Sequence, residues 1–214
     1  MNKRKRYSIL FVSILFGLTL AAQAPQQYGI KCGTLYYTVQ SAINIPGMPS
    51  LKVTVTGKSC FDEYGLKEAT QYTETADPGE ATLRHTKHYF SLRLPDYYCL
   101  INADTNEKVD EDNLSNTTKE ILAQHTITNY DNLSDIEAEI YSSQFIGTIV
   151  YLAKNCKKYK ITEKIPLYNS EDIVVVWNNI VLHRISKTSA LQYEYKVTKI
   201  DENIPEANAF KIPE

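Results

Sequence analysis

The sequence predicts a mostly β chain of the α+β class, built on one large antiparallel sheet. Three observations carry this. Sixteen tyrosines in 214 residues, together with frequent Val, Ile and Thr, favour a pleated surface on which aromatic and β-branched side chains pack well. Apolar and polar residues alternate with a period of two through most of the chain. Helix signals are confined to two short stretches near the middle.

Residues 1–24 stand apart from the rest. The basic run Lys3 to Arg6 precedes an apolar stretch from Ile9 to Ala22, and Ala21, Ala22 and Ala24 supply small residues for cleavage. This is the pattern of a secretory signal peptide. It predicts export to the periplasm or the extracellular space, with 25–214 as a single domain of about 190 residues. The apolar stretch is short for a spanning helix and runs into Gln23, Pro25, Gln26 and Gln27, so no stable transmembrane segment is expected after cleavage. The first cysteine is Cys32, which argues against acylation of the first mature residue.

The elements follow in order. Ile30 to Ile43 reads as a long strand, ended by the turn Pro46-Gly47-Met48-Pro49. Leu51, Val53 and Val55 alternate with Lys52, Thr54 and Thr56, which makes the second arm of a hairpin. Leu66 to Thr75 follows the bend Asp62-Glu63-Tyr64-Gly65, and Asp77-Pro78-Gly79-Glu80 is a turn by composition. Strands are expected at His88 to Leu94 and Tyr97 to Asn102, after which the acidic stretch Asp104 to Asn116 interrupts the sheet. Thr117 to His125 is the first expected helix. Ser134-Asp135-Ile136-Glu137 has capping-box spacing and starts the second, which runs to about Ser143. Strands resume at Phe145 to Leu152, Lys157 to Ile161, Ile173 to Trp177, Ile180 to Ile185 and Leu191 to Ile200. Asn178-Asn179 is a two-residue hairpin turn in which both residues tolerate positive φ. A sheet this large must curl, split or be covered, and the two helices are its natural cover.

Charge narrows the function. Without Lys3 to Arg6 the chain keeps 19 basic residues against 25 acidic ones, a formal charge of −6. That balance excludes a nucleic-acid footprint. The cluster Lys154, Lys157, Lys158 and Lys160 lies on a strand-like segment and reads as a solvated sheet face. Cys32, Cys60, Cys99 and Cys156 all survive cleavage into a compartment where disulfides persist, and three pairings are open. Counting outward from an apex near Gly47 brings Cys32 opposite a position close to Asp62, so Cys32 with Cys60 is one candidate bridge and Cys99 with Cys156 follows by elimination. The other reading keeps buried free thiols, which behave as small apolar residues.

Catalytic and metal signatures are weak. His85 and His88 are three apart, a spacing that points to opposite faces of a strand. No G-x-S-x-G elbow occurs, and Cys156 between Asn155 and Lys157 reads as structural. Asp104, Asn106, Asp110 and Asp112 fail as an EF-hand, with Val109 where Gly is required and Ser115 where Glu is required. Neither an enzyme activity nor a cofactor or metal is expected. What remains is the apolar face of the curled sheet, formed by Tyr37, Val39, Val53, Val55, Phe90, Leu92, Val175 and Trp177. Either helices fill it as plain core, or it leaves a dry cavity for an apolar ligand.

Four segments together resemble an uncharacterised family of small secreted bacterial domains grouped near the LolA-like periplasmic lipoprotein carriers. Phe61-Asp62-Glu63-Tyr64-Gly65-Leu66-Lys67-Glu68 is similar to that family's aromatic-acidic-acidic-Tyr-Gly turn. Ala153-Lys154-Asn155-Cys156-Lys157-Lys158-Tyr159 resembles its Gly-x-x-Cys-x-x-Tyr hairpin, with Ala153 in place of Gly. Trp177 to Leu182 is similar to its Trp-x-x-Gly-Ile-Pro-Leu segment, with Asn179 for Gly and Val181 for Pro. The tail, Ile204-Pro205 and Phe210 to Glu214, is similar to its proline-bracketed aromatic end. The resemblance implies a LolA-like half-barrel whose concave face is covered by two short helices, with no catalytic residue to carry over. The function expected is a binding protein holding a lipid or lipoprotein acyl chain, and the alternative is action through protein contacts, using exposed tyrosines or an edge strand. The oligomeric state stays open.

Overall fold

The structure, a computed structural model, describes residues 27–44, 49–79, 83–112, 127, 129–164, 171–188 and 190–213. The expected leader at 1–24 and the expected helix at 117–125 lie outside these residues. Strands β1 (Gly33–Ile43), β2 (Leu51–Asp62), β3 (Lys67–Asp77), β4 (His85–Leu94), β5 (Tyr97–Asn102) and β6 (Glu107–Asp112) form one meander. A helix α1 (Asp135–Ile140) leads into a second, made of β7 (Tyr141–Tyr151), β8 (Lys154–Glu163), β9 (Glu171–Trp177), β10 (Ile180–Lys187) and β11 (Leu191–Asp201). All pairings are antiparallel. The two meanders join where the first strand meets the last, giving the order β6-β5-β4-β3-β2-β1-β11-β10-β9-β8-β7.

Several turns follow the local chemistry. Asn178 and Asn179 both adopt positive φ (47° and 60°), the twist a two-residue hairpin needs. Ser134 accepts a bond from the Glu137 amide while the Glu137 carboxylate accepts one from the Ser134 amide, so the capping box forms as its spacing predicts. Gly65 has φ +86°, and a Cβ there would meet the Tyr28 ring at 2.8 Å. Gly57 interrupts β2 for another reason: a Cβ would lie 2.8 Å from the Tyr37 hydroxyl and 2.7 Å from the Gln71 carbonyl oxygen.

The sheet is strongly curled, and one residue proves it. The Gln27 side chain accepts a bond from Arg93 of β4 at 3.3 Å, while its carbonyl accepts one from Asn179, at the head of β10, at 2.8 Å. Those strands are five intervals apart in the sheet order, roughly 24 Å if the sheet were flat. Residues 27–31 thus plug one end of the trough, with Tyr28 N donating to the Tyr64 carbonyl and Gly29 N to the Asn178 carbonyl. The Lys31 carbonyl accepts from the Tyr64 amide in the same plug, and β1 starts at Gly33 and not at Ile30.

Two further expectations need correction. Asp104 to Asn116 does not simply interrupt the sheet, since Glu107–Asp112 pairs with β5 as an edge strand. Of the two helices expected over the concave face, the first lies outside the described residues, and the second, shorter than expected, does not lie over that face. Among the described residues there is one α-helix, six residues long, packed beside β7. The sheet buries its inner face mainly by curling over it.

The inner face carries the main core. Leu35, Tyr37, Val39, Val53, Val55, Tyr72, Tyr89, Tyr193 and Val197 are buried in one cluster. Tyr72 stacks on Tyr89 at 5.0 Å and Tyr37 leans on Tyr195 at 5.5 Å. Burial pushes the Tyr89 and Tyr193 phenols up to about 12. Glu74 lies on this face opposite Val55, and burial raises its carboxyl above the ordinary 4.5, against the pull of Lys87 and His85. The folded state therefore holds this proton to higher pH than the unfolded chain does. Its contribution to stability is full below the ordinary carboxylate range and is lost as pH rises through the folded value. Glu74→Gln is expected to raise the thermal midpoint at about pH 7 and to leave it near wild type at about pH 3.5. Equal shifts at both pH values in calorimetry would refute a titration origin.

Candidate functional site

Of the residues nominated for an apolar cavity, the structure brings together Tyr37, Val39, Val53, Val55 and Val175 in the main core, with Trp177 packed against it. Phe90 and Leu92 are not among them. The β3–β4 register places Tyr89 opposite Tyr72, so Phe90 and Leu92 point the other way. They form a separate cluster with Ala69, Cys99 and Ile101, against which Phe210 of the C-terminal tail packs. These six belong to one packed hydrophobic cluster, Trp177 at its margin.

Hollows bounded by described residues open on the outer face. One of about 350 Å³ lies between the tail and the row Tyr36, Lys58, Gln71. A neighbour of about 500 Å³ shares that row and reaches Phe90 and Pro213. A third, of about 410 Å³, is floored by Gln40, Thr54 and Glu194.

Two ion pairs are structural. Arg93 donates to Glu68 at 2.6 Å and to the Gly65 carbonyl at 3.1 Å, and Ser59 donates to the other Glu68 oxygen at 2.5 Å. Asp172 is held by Arg184, whose Nε lies 2.7 Å away. On the rim, Asp104 accepts from the His88 amide at 2.9 Å and lies 2.7 Å from its Nδ1, bonds that hold its carboxyl below the usual range.

All four cysteines are free thiols. The hairpin register sets Thr34 opposite Cys60, so Cys32, two residues earlier, sits diagonally from Cys60, and diagonal neighbours are wider apart than a disulfide spans. Cys99 and Cys156 belong to different hydrophobic clusters. The lysine cluster is solvated and paired, Lys157 with Asp131 at 2.5 Å, Lys160 with Glu171 at 2.8 Å and Lys154 with Glu202.

The two margins of the sheet differ sharply in chemistry. The β6 margin reads Glu-Lys-Val-Asp-Glu-Asp, with one apolar residue among charges. Charges of that kind keep an edge from pairing with foreign strands. The β7 margin reads Tyr-Ser-Ser-Gln-Phe-Ile-Gly-Thr-Ile-Val-Tyr, eleven residues without an acid, a base or a proline. Its apolar side chains stand in solvent: Phe145 is 53% exposed, Ile146 42%, Ile149 44% and Val150 68%. One side of β7 pairs with β8; among the described residues the other bears no strand. Ile146 sits in a bulge between Phe145 and Gly147, which leaves 147–151 as the regular part. Sequence reasoning found this strand but not its position at a margin, because strand order is invisible to alternation. The missing charges were the available signal.

No family model and no curated protein matches the chain. Solved structures do. MucB matches with a TM-score of 0.44 and 10% identity over 93% of this chain and 61% of that one. A putative outer membrane lipoprotein-sorting protein domain from Vibrio parahaemolyticus matches with a TM-score of 0.31 and 10% identity, over 85% and 89%. A β-barrel-like protein of the domain of unknown function DUF1849 from Brucella abortus matches with a TM-score of 0.34 and 6% identity, over 81% and 98%. The chain spans about three fifths of the length of MucB.

Proposed function

We propose that this is a non-enzymatic binding protein of the cell envelope, whose docking element is β7, where an extended polypeptide segment adds to the sheet as a further strand. The single observation that carries this is an eleven-residue margin strand with no charge and with Phe145, Ile146, Ile149 and Val150 in water. Strand addition uses main-chain bonds for affinity and alternate side-chain contacts for selectivity. A long uncharged apolar edge is otherwise a hazard that soluble proteins remove. This chain removes it at β6 and keeps it at β7. The envelope assignment rests on the leader at 1–24. The acyl-chain reading has less support, because six of the nominated residues are taken up in one packed cluster.

A photo-crosslinking residue in place of Val150, introduced in cells, tests the reading. The expected product is a discrete polypeptide adduct that disappears when Ile149→Lys is added, while the same probe at Val109 on β6 labels none. Labelling of extractable lipid alone at position 150 would overturn strand docking and restore the acyl-chain reading.

A further inference from the structure

Resting on that reading of β7, we infer that its resting occupant is β7 of a second copy of this chain, paired antiparallel about a two-fold axis through Thr148. Charge is the first argument. A strand that meets its own copy brings like residues together, so any acid or base near the axis repels itself; residues 141–151 contain none. The same pairing at β6 would crowd Glu107, Asp110 and Glu111 against their equivalents.

Geometry is the second. Identical edges related by a two-fold axis perpendicular to the sheet pair antiparallel, the mode of every ladder in this sheet. The axis must fall in the regular stretch 147–151, beyond the bulge at Ile146. Centred on Thr148, the register sets Gly147 opposite Ile149 of the second copy and Thr148 opposite itself within the regular stretch, with Val150 reaching toward the bulge at Ile146. An axis at Gly147 would bring the bulge at Ile146 against Thr148 and break the ladder beside the axis. The closed two-fold pair hides both margins, which stops open-ended stacking.

The exported chain carrying Thr148→Cys in a Cys32→Ser background tests this. Mild oxidation is expected to convert most of it to a covalent dimer, while Ser142→Cys in the same background stays largely monomeric. By sedimentation at tens of micromolar, wild type is expected to show about twice the mass of Val150→Lys, with unchanged circular dichroism for the variant. A monomeric wild type without Thr148→Cys cross-linking overturns self-pairing. If the Val150 probe still labels a different polypeptide, strand docking survives that result; if it labels no polypeptide, both fall.

Discussion

Arg184→Ala is expected to destabilise the fold by about 3–5 kcal/mol, the range for removing one partner of a buried ion pair. Asp172 is 2% exposed and rests on Arg184, which approaches one carboxylate oxygen through two nitrogens. The other oxygen, Oδ1, is buried without a hydrogen-bond partner. Without the guanidinium, a carboxylate lies stranded among apolar neighbours such as Val174 and Tyr159. The pair itself contributes far less than its rupture costs, since desolvation of both charges offsets most of their attraction. Replacing both residues, as Asp172→Val with Arg184→Met, is therefore expected to recover most of the loss. Urea unfolding of the two single variants and the double variant checks this. A loss under about 1 kcal/mol for Arg184→Ala would mean that water reaches Asp172 and that the site is not dry.

Phe61→Ala carries the other large effect, about 3–5 kcal/mol for an aromatic core truncation. Phe61 is fully buried, and its ring meets Tyr28 edge-on at 4.8 Å. That contact fastens residues 27–31 across the end of the trough. The truncation should therefore expose the plug as well as lower stability, giving faster proteolysis near residues 27–33. Leu182→Ala, at an equally buried position, is expected to cost about 2–5 kcal/mol without accelerating that cleavage. Equal proteolysis of both variants, measured under conditions where each stays folded, would show that Phe61 does not hold the plug.

The limits of sequence reading show in β4. Tyr89, Phe90, Ser91, Leu92 and Arg93 are all buried, because the inner face is closed by the curl and the outer face by Phe210. The alternation of Phe90 and Leu92 with Ser91 and Arg93 is read as apolar side inward, but the strand is covered on both sides and its polar side faces in, where Arg93 is paired with Glu68 and the Gly65 carbonyl. β6 escaped for the opposite reason. It pairs on one side only and is exposed from Glu107 to Glu111, so nothing apolar marks it.

What the sequence determined by itself was local: strands where side chains alternate, hairpin turns where Asn178-Asn179 tolerates positive φ, and a helix start where Ser134 and Glu137 satisfy each other's amides. Each depends on residues within a few positions of one another. Only the tertiary structure decided the pairing of β1 with β11, the plug that bridges β4 to the head of β10, and the exposure of β7 at a margin. These join residues as far apart as Thr34 and Asp201, and their formation depends on which apolar faces can be buried together, a property of the whole chain that no short window contains.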